Sequence, residues 1–231
     1  MIIVITGTSR GIGRSLAEYY TGKGHTVVGC SRSECDFKHN LYVHYTVDMS
    51  DEKAVNDFAA AVRKRFGHID ALINNAGVAS MNHFMLTPLE TARRLMNTNF
   101  FGPFAAIRAF ISLLKKSEHP RVVNFSTVAV PFNLDGELAY VSSKAAVEEL
   151  TKILAKELSG FKITVNAVGP TPVKTALTAK VPENKIQALL DRQAIKRFGE
   201  FEDIRNVINF YLQPESDFIT GQIIYLGGVN K

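Results

Sequence analysis

No apolar run in this chain approaches the ~20 residues needed to span a bilayer, which excludes a helical membrane protein. The opening MIIVITGTSR lacks the basic start and small-residue cleavage site of a secretory signal and reads as a buried strand. A cytoplasmic location is the expectation. Cysteine is scarce: Cys30 and Cys35 are too few for a disulfide framework, and Cys30 closes an apolar run as a reduced core residue would. None of the six histidines stands at ligand spacing from a cysteine or an acid, so no metal site is expected. Long runs of one charge are also missing. The net charge is +5, but the basic residues are interleaved with acids. Arg63-Lys64-Arg65 and Lys115-Lys116 fall near the ends of predicted helices, where they complement the helix dipole. Nucleic-acid binding is not expected, whereas a mild preference for anionic ligands is. There is no internal repeat, low-complexity stretch or linker.

What is present is a regular alternation. Strands are predicted at 2–6, 25–30, 41–47, 70–74, 121–126, 162–168 and 222–226. Helices are predicted at 11–23, 51–66, 138–159 and 201–212, with one or two in 88–116 and a break or kink near Gly102-Pro103. In 51–66, Ala54, Val55, Phe58, Val62 and Phe66 share one side. Strands apolar on both faces, alternating with helices, predict an α/β fold: a Rossmann-like, doubly wound parallel sheet of about seven strands, covered on both faces. Its 231 residues suit a single domain over 1–231. The least regular segment, 171–200, lies beyond the C-terminal end of a strand, the edge at which open α/β sheets bind ligands.

Thr6-Gly7-Thr8-Ser9-Arg10-Gly11-Ile12-Gly13 follows the first strand directly. A glycine-rich turn that opens a helix lets backbone amides approach a pyrophosphate, with the helix dipole behind them. Its spacing is G-x-x-x-G-x-G, and a plain helix-capping turn would also use glycine. The loop resembles the cofactor signature of the short-chain dehydrogenase/reductase family, with the pattern of its 3-oxoacyl reductases. Further family landmarks follow in order: Asp48, then Asn74-Asn75-Ala76-Gly77, then Asn99 in N-F-F-G, then Tyr140-Val141-Ser142-Ser143-Lys144. Asn166-Ala167-Val168-Gly169-Pro170 and Thr220-Gly221-Gln222 complete a resemblance that covers essentially the whole chain. It implies cofactor contacts from Gly7, Ser9, Arg10, Gly11, Ile12 and Gly13. Others come from Ser31, Arg32, Asp48, Met49, Asn75, Ala76, Gly77, Tyr140, Lys144, Pro170, Val173 and Thr175.

The tip of the second strand selects the dinucleotide. An acid there would bind the ribose hydroxyls and repel a 2′-phosphate, but this chain has Ser31 and Arg32. Arg10 adds a second cation, and an arginine meets a phosphate with a charge-assisted fork. NADP(H) is therefore the expected cofactor, as the resemblance also implies. The bland alternative makes both arginines solvated surface charges, and nearby Glu34 and Asp36 weaken the case for the phosphate.

A Y-x-x-x-K alone arises by chance in about half of such chains. Here it sits on the long helix after the fifth predicted strand. Residues i and i+4 share a helix face, and a neighbouring ammonium favours the phenolate. Lys144 is thus expected to lower the pKa of Tyr140 towards the useful range for acid–base work. The competing reading is a Tyr–Lys pair on a helix surface. The resemblance implies a hydroxyl thirteen residues before the tyrosine to orient the substrate oxygen. That residue is Thr127 rather than serine, with Ser126 as the alternative. Alternation along the strand favours Thr127. The resemblance also gives Asn99 a water-relay role towards the lysine, although a buried structural amide fits the residue too. Pro170-Thr171 departs from the family's Pro-Gly, which puts that loop's geometry in doubt.

The expectation is an oxidoreductase transferring hydride between nicotinamide and a carbonyl or secondary alcohol, with Tyr140 as general acid/base. Val128, Ala129, Val130, Phe132, Ala79, Ser80, Met81, Ala176, Leu177 and Val181 suggest a partly apolar pocket for a small-molecule substrate. The alternatives are a catalytically silent NADP(H) sensor and an epimerase or dehydratase of the same family. Family members usually form dimers or tetramers through the two long central helices, so the resemblance implies a homodimer or homotetramer.

Overall fold

The structure is a computed structural model that describes residues 1–176 and 178–229, with Lys180 by its backbone alone. Leu177, offered above as a pocket residue, lies outside the described residues. In chain order the elements are β1 (Ile2–Thr6), α1 (Gly11–Gly22), β2 (Thr26–Ser31), β3 (Tyr42–Thr46), α2 (Glu52–Phe66) and β4 (Ala71–Asn74). Then come α3 (Leu89–Met96), α4 (Gly102–Leu114), β5 (Arg121–Phe125), α5 (Ala129–Phe132), α6 (Leu138–Glu157) and β6 (Thr164–Gly169). The last are α7 (Glu183–Asp191), α8 (Phe201–Leu212) and β7 (Ile223–Tyr225). All strand pairs are parallel, in the order β3-β2-β1-β4-β5-β6-β7.

The pleat sorts the apolar side chains into two layers, because successive side chains point to opposite faces. Val4, Val28, Leu72, Val122 and Val165 lie in register across five strands and pack against Val55, Phe58 and Val62 of α2 and Ile107 and Phe110 of α4. Their neighbours Ile3, Ile5, Val27, Ile73 and Val123 turn the other way, onto Leu16 and Tyr20 of α1 and Ile204, Ile208 and Tyr211 of α8. A strand buried on both faces must be apolar throughout, which is why these segments read as continuous runs.

Local chemistry sets the helix ends. Asp51 accepts the Ala54 amide at 3.1 Å at the start of α2, and Gly67 ends that helix at φ 78°. Arg63, Lys64 and Arg65 occupy its last turn, as the dipole favours. The expected break near Gly102-Pro103 is a π-helical turn, Asn97–Phe101, between α3 and α4. Two short helices were not expected, α5 and α7, the latter inside the segment read as irregular.

The order of the strands reverses between β1 and β4. The loops after these two strands therefore part, one towards each side, and leave a crevice at the C-terminal edge.

Candidate active site

The glycine loop leaves β1 at that crevice and is braced from β4. Asn75 Nδ2 donates to the carbonyls of Thr6 at 2.8 Å and Gly7 at 3.2 Å, and the Ala76 amide donates to Thr6 Oγ1 at 2.9 Å. Gly7 sits at φ 79°. A Cβ on Gly13 would lie 2.2 Å from the Gly7 carbonyl oxygen and 2.5 Å from Asn75 Nδ2. No side chain can be added there without moving the loop. The first turn of α1 carries no acid, and Arg10 at its N-cap makes no capping hydrogen bond. The helix end thus presents backbone amides and positive dipole to the crevice. Gly11 begins this helix beneath Thr175, whose methyl would lie 3.8 Å from a Cβ at that position. A tight, uncapped, cation-flanked cradle fits a dinucleotide diphosphate.

At the tip of β2, Arg32 is exposed and no carboxylate replaces it. Ser31 differs from expectation. It is buried, and its hydroxyl donates inward to the Ser33 carbonyl at 2.6 Å. This bond holds the turn that carries Arg32. Asp48 is exposed and accepts the Ser50 amide at 2.9 Å and hydroxyl at 2.7 Å, which with its proximity to Arg32 keeps its carboxyl below the usual range. Met49 is buried, with its carbonyl and Cβ packed beside Gly102.

Tyr140 and Lys144 lie one turn apart on α6, facing the end of β5. The Thr127 hydroxyl lies beside the Tyr140 phenol, and its Oγ1 accepts the Ala129 amide at 3.2 Å. Ser126 points the opposite way and donates to Glu148 Oε1 at 2.5 Å. Lys144 is buried and donates to the Phe125 carbonyl at 2.8 Å. A Cβ on Gly77 would lie 3.5 Å from Lys144 Nζ and 3.3 Å from Asn99 Oδ1, which brings the ends of β4, α6 and the π turn together. The phenol is raised, not lowered as expected from Lys144. Burial dominates and pushes Tyr140 up to about 12, against the lowering effect of the nearby Thr127 hydroxyl, with the Glu137 charge adding to the rise. Burial also brings Lys144 down to about 8. Both groups shift towards their neutral forms because charge is costly in this enclosed place.

Asn99 is fully buried and all its side-chain atoms are engaged. Oδ1 accepts the Val78 amide at 2.9 Å, and Nδ2 donates to the Val78 carbonyl and to Ser143 Oγ, both at 2.9 Å. The side chain is a clamp on the segment after Gly77. Thr171, where glycine was expected, has no positive φ. It is buried, donates its hydroxyl to Gln193 Oε1, and lays its methyl 2.7 Å from where Gly199 would carry a Cβ. Gly199 is the residue that allows this close approach. Pro170 contributes its carbonyl, which accepts the Val128 amide at 3.1 Å, and Val173 is buried and bridges to Gly199.

The sequence model of the family described as enoyl-(acyl carrier protein) reductase matches residues 7–230. The chain belongs to this family of short-chain dehydrogenases/reductases. It is similar to the 3-oxoacyl-(acyl-carrier-protein) reductase of Thermotoga maritima, 30% identical over 236 residues, covering 98% of this chain and 96% of the relative. The corresponding reductase of Escherichia coli is 28% identical over 233 residues, with the same coverages of 98% and 96%. Among solved structures, ligand-free Thermoplasma acidophilum aldohexose dehydrogenase superposes with a TM-score of 0.89 at 28% identity, over 99% of this chain and 93% of that one. The 3-ketoacyl-(acyl-carrier-protein) reductase of Brucella melitensis, complexed with NADH, superposes equally well, at 0.89 and 24% identity, over 97% and 96%, and bears on the fold alone.

As a short-chain dehydrogenase/reductase, the chain is a nicotinamide-dependent oxidoreductase acting on a carbonyl or its alcohol. Three residues near the site escaped the sequence reading. Glu148 lies one turn beyond Lys144 and takes both Ser126 and, at 2.6 Å, the Tyr225 hydroxyl. Its i+4 spacing from Lys144 was a usable signal. Ser143 and Gln193 each take a partner distant in sequence, Asn99 and Thr171, which no local pattern announces.

Proposed function

We propose that this short-chain dehydrogenase/reductase uses NADP(H) to interconvert a small-molecule carbonyl and its secondary alcohol, with Tyr140 as proton donor and acceptor. The observation that carries the reading is the Thr127–Tyr140 hydroxyl pair, set beside buried Lys144 at the mouth of the glycine cradle. The bound dinucleotide supplies or accepts the hydride. The chain's residues do the rest. Thr127 and Tyr140 hydrogen-bond the carbonyl oxygen and fix its orientation. Tyr140, with its phenol held up to about 12, stays protonated and can give that proton to the developing alkoxide. Lys144, brought down to about 8, exchanges protons near neutrality and can recharge the phenol. Asn99 keeps the Gly77–Val78 segment in place beside Lys144, where it can also hold a water that relays protons towards the lysine.

Arg32 and Arg10, both exposed at the crevice, support the choice of NADP(H) over NAD(H). The relatives suggest two substrate classes to screen, a 3-oxoacyl thioester and an aldose. Exposed Phe101, Phe104 and Ile153 on and beside α4 and α6 support a homodimer or homotetramer built on those helices. Among the described residues no helix is long and apolar enough to cross a membrane, and both cysteines are free, in keeping with a cytoplasmic enzyme. The test follows NADPH absorbance across a carbonyl panel, with Tyr140→Phe as control. A mutant as active as the wild type overturns the mechanism; NADPH binding without turnover of any carbonyl would favour a sensor instead.

A further inference from the structure

His44 has no part in the reading above, yet it joins two of the cofactor-facing loops. It stands on β3 opposite Gly29 of β2. Its Nε2 lies 3.1 Å from the Ser33 carbonyl and 3.2 Å from Ser31 Oγ. A carbonyl can only accept, so Nε2 carries a proton and donates to Ser33. On the other side of the ring, Nδ1 faces the Tyr42 hydroxyl at 2.9 Å and Thr8 Oγ1 at 3.4 Å. The Tyr42 hydroxyl in turn donates to Thr8 Oγ1 at 2.8 Å. Thr8 belongs to the glycine loop, and Ser31 and Ser33 flank Arg32. The network passes through the space a side chain at position 29 would fill: a Cβ on Gly29 would lie 2.4 Å from both Thr8 Oγ1 and the Tyr42 oxygen.

We propose that His44 is a positioning residue for cofactor discrimination, fixing the Ser31–Arg32–Ser33 turn against the glycine loop so that Arg32 meets an adenosine 2′-phosphate. The inference rests on the NADP(H) reading. The Ser33 carbonyl receives two donors, Ser31 Oγ and His44 Nε2, which fasten the backbone just beyond Arg32. Through Nδ1 the same ring holds Thr8, so the distance between the diphosphate cradle and the arginine is set by one side chain. A rigid turn preserves the orientation of the guanidinium fork, on which bidentate phosphate binding depends. A dinucleotide without the 2′-phosphate makes no use of Arg32 and is indifferent to that orientation.

The test is calorimetric binding of 2′,5′-ADP, 5′-AMP, NADP⁺ and NAD⁺ to the full chain. His44→Ala is expected to weaken 2′,5′-ADP and NADP⁺ by about tenfold while 5′-AMP and NAD⁺ change by less than about twofold. His44→Gln, which keeps one donor and one acceptor, is expected to restore most of the loss. If His44→Ala does not fold, His44→Asn makes the same test, being polar but too short to reach from β3 to Ser33. Equal weakening of phosphorylated and unphosphorylated ligands means a merely structural role and overturns the proposal. So does a variant that discriminates as well as a discriminating wild type. A wild type that binds 5′-AMP as tightly as 2′,5′-ADP overturns the NADP(H) reading itself, and this proposal with it.

Discussion

The Lys144 ammonium donates to the carbonyl oxygen of Phe125 at 2.8 Å, so the lysine of α6 is tied to the last residue of β5. This bond anchors the tyrosine helix to the strand from which Thr127 follows. It also explains why the lysine is tolerated in an enclosed place, since an unpartnered buried ammonium would be far more costly.

The first prediction concerns pH. Burial lowers Lys144 from the ordinary 10.5 to about 8. Between these values the native chain binds fewer protons than the unfolded chain, so the contribution of Lys144 to stability rises with pH across that window. Tyr140 acts oppositely above pH 10, where the native state keeps a phenolic proton up to about 12 and stability falls. Urea midpoints from pH 8 to 10 should therefore show the wild type gaining on Lys144→Met. A constant difference between the two proteins would contradict the buried lysine.

The second prediction separates neighbouring hydroxyls. Thr127→Val removes the partner of the Tyr140 phenol and should lower kcat by roughly 10²–10³, with little change in melting temperature. Ser126→Ala removes a donor to buried Glu148 and should cost about 1–3 kcal/mol of stability while leaving kcat within a fewfold. Steady-state kinetics beside thermal unfolding decide it; the reverse pattern moves the catalytic role to Ser126.

The third prediction tests the cradle. Alanine at position 13 places a methyl 2.2 Å from the Gly7 carbonyl oxygen. The loop must shift, at about 1–3 kcal/mol or more, and calorimetric NADP⁺ binding should disappear. Unchanged binding by a folded Gly13→Ala protein would show that the diphosphate lies elsewhere.

The fourth prediction concerns residues 171–200. Gln193 accepts from Thr171 and donates to the carbonyls of Ile195 at 3.3 Å and Arg197 at 3.2 Å, joining the two ends of the 171–200 segment. Gln193→Ala removes all three bonds and leaves the buried Thr171 hydroxyl unpaired, so limited proteolysis should cut within 174–192 faster than in the wild type. Equal cleavage rates would mean that other contacts hold the segment.

The sequence by itself determined the sheet, because doubly apolar runs such as IIVIT and RVVNF have a stable place only between two layers of helices. It also determined the cradle and the Tyr140–Lys144 pair, since a glycine's freedom and the i+4 helical repeat are local properties of the chain. Tertiary structure decided the rest. It sent Ser126 to Glu148 and left Thr127 for Tyr140, turned Ser31 inward to Ser33, and made the Asn99 amide a clamp on Val78. It also reversed the expected shift of the phenol. A side chain's hydrogen bonds and the cost of its charge depend on what encloses it, and those enclosing groups come from β5, α6 and the π turn, remote in sequence and adjacent only once the sheet has formed.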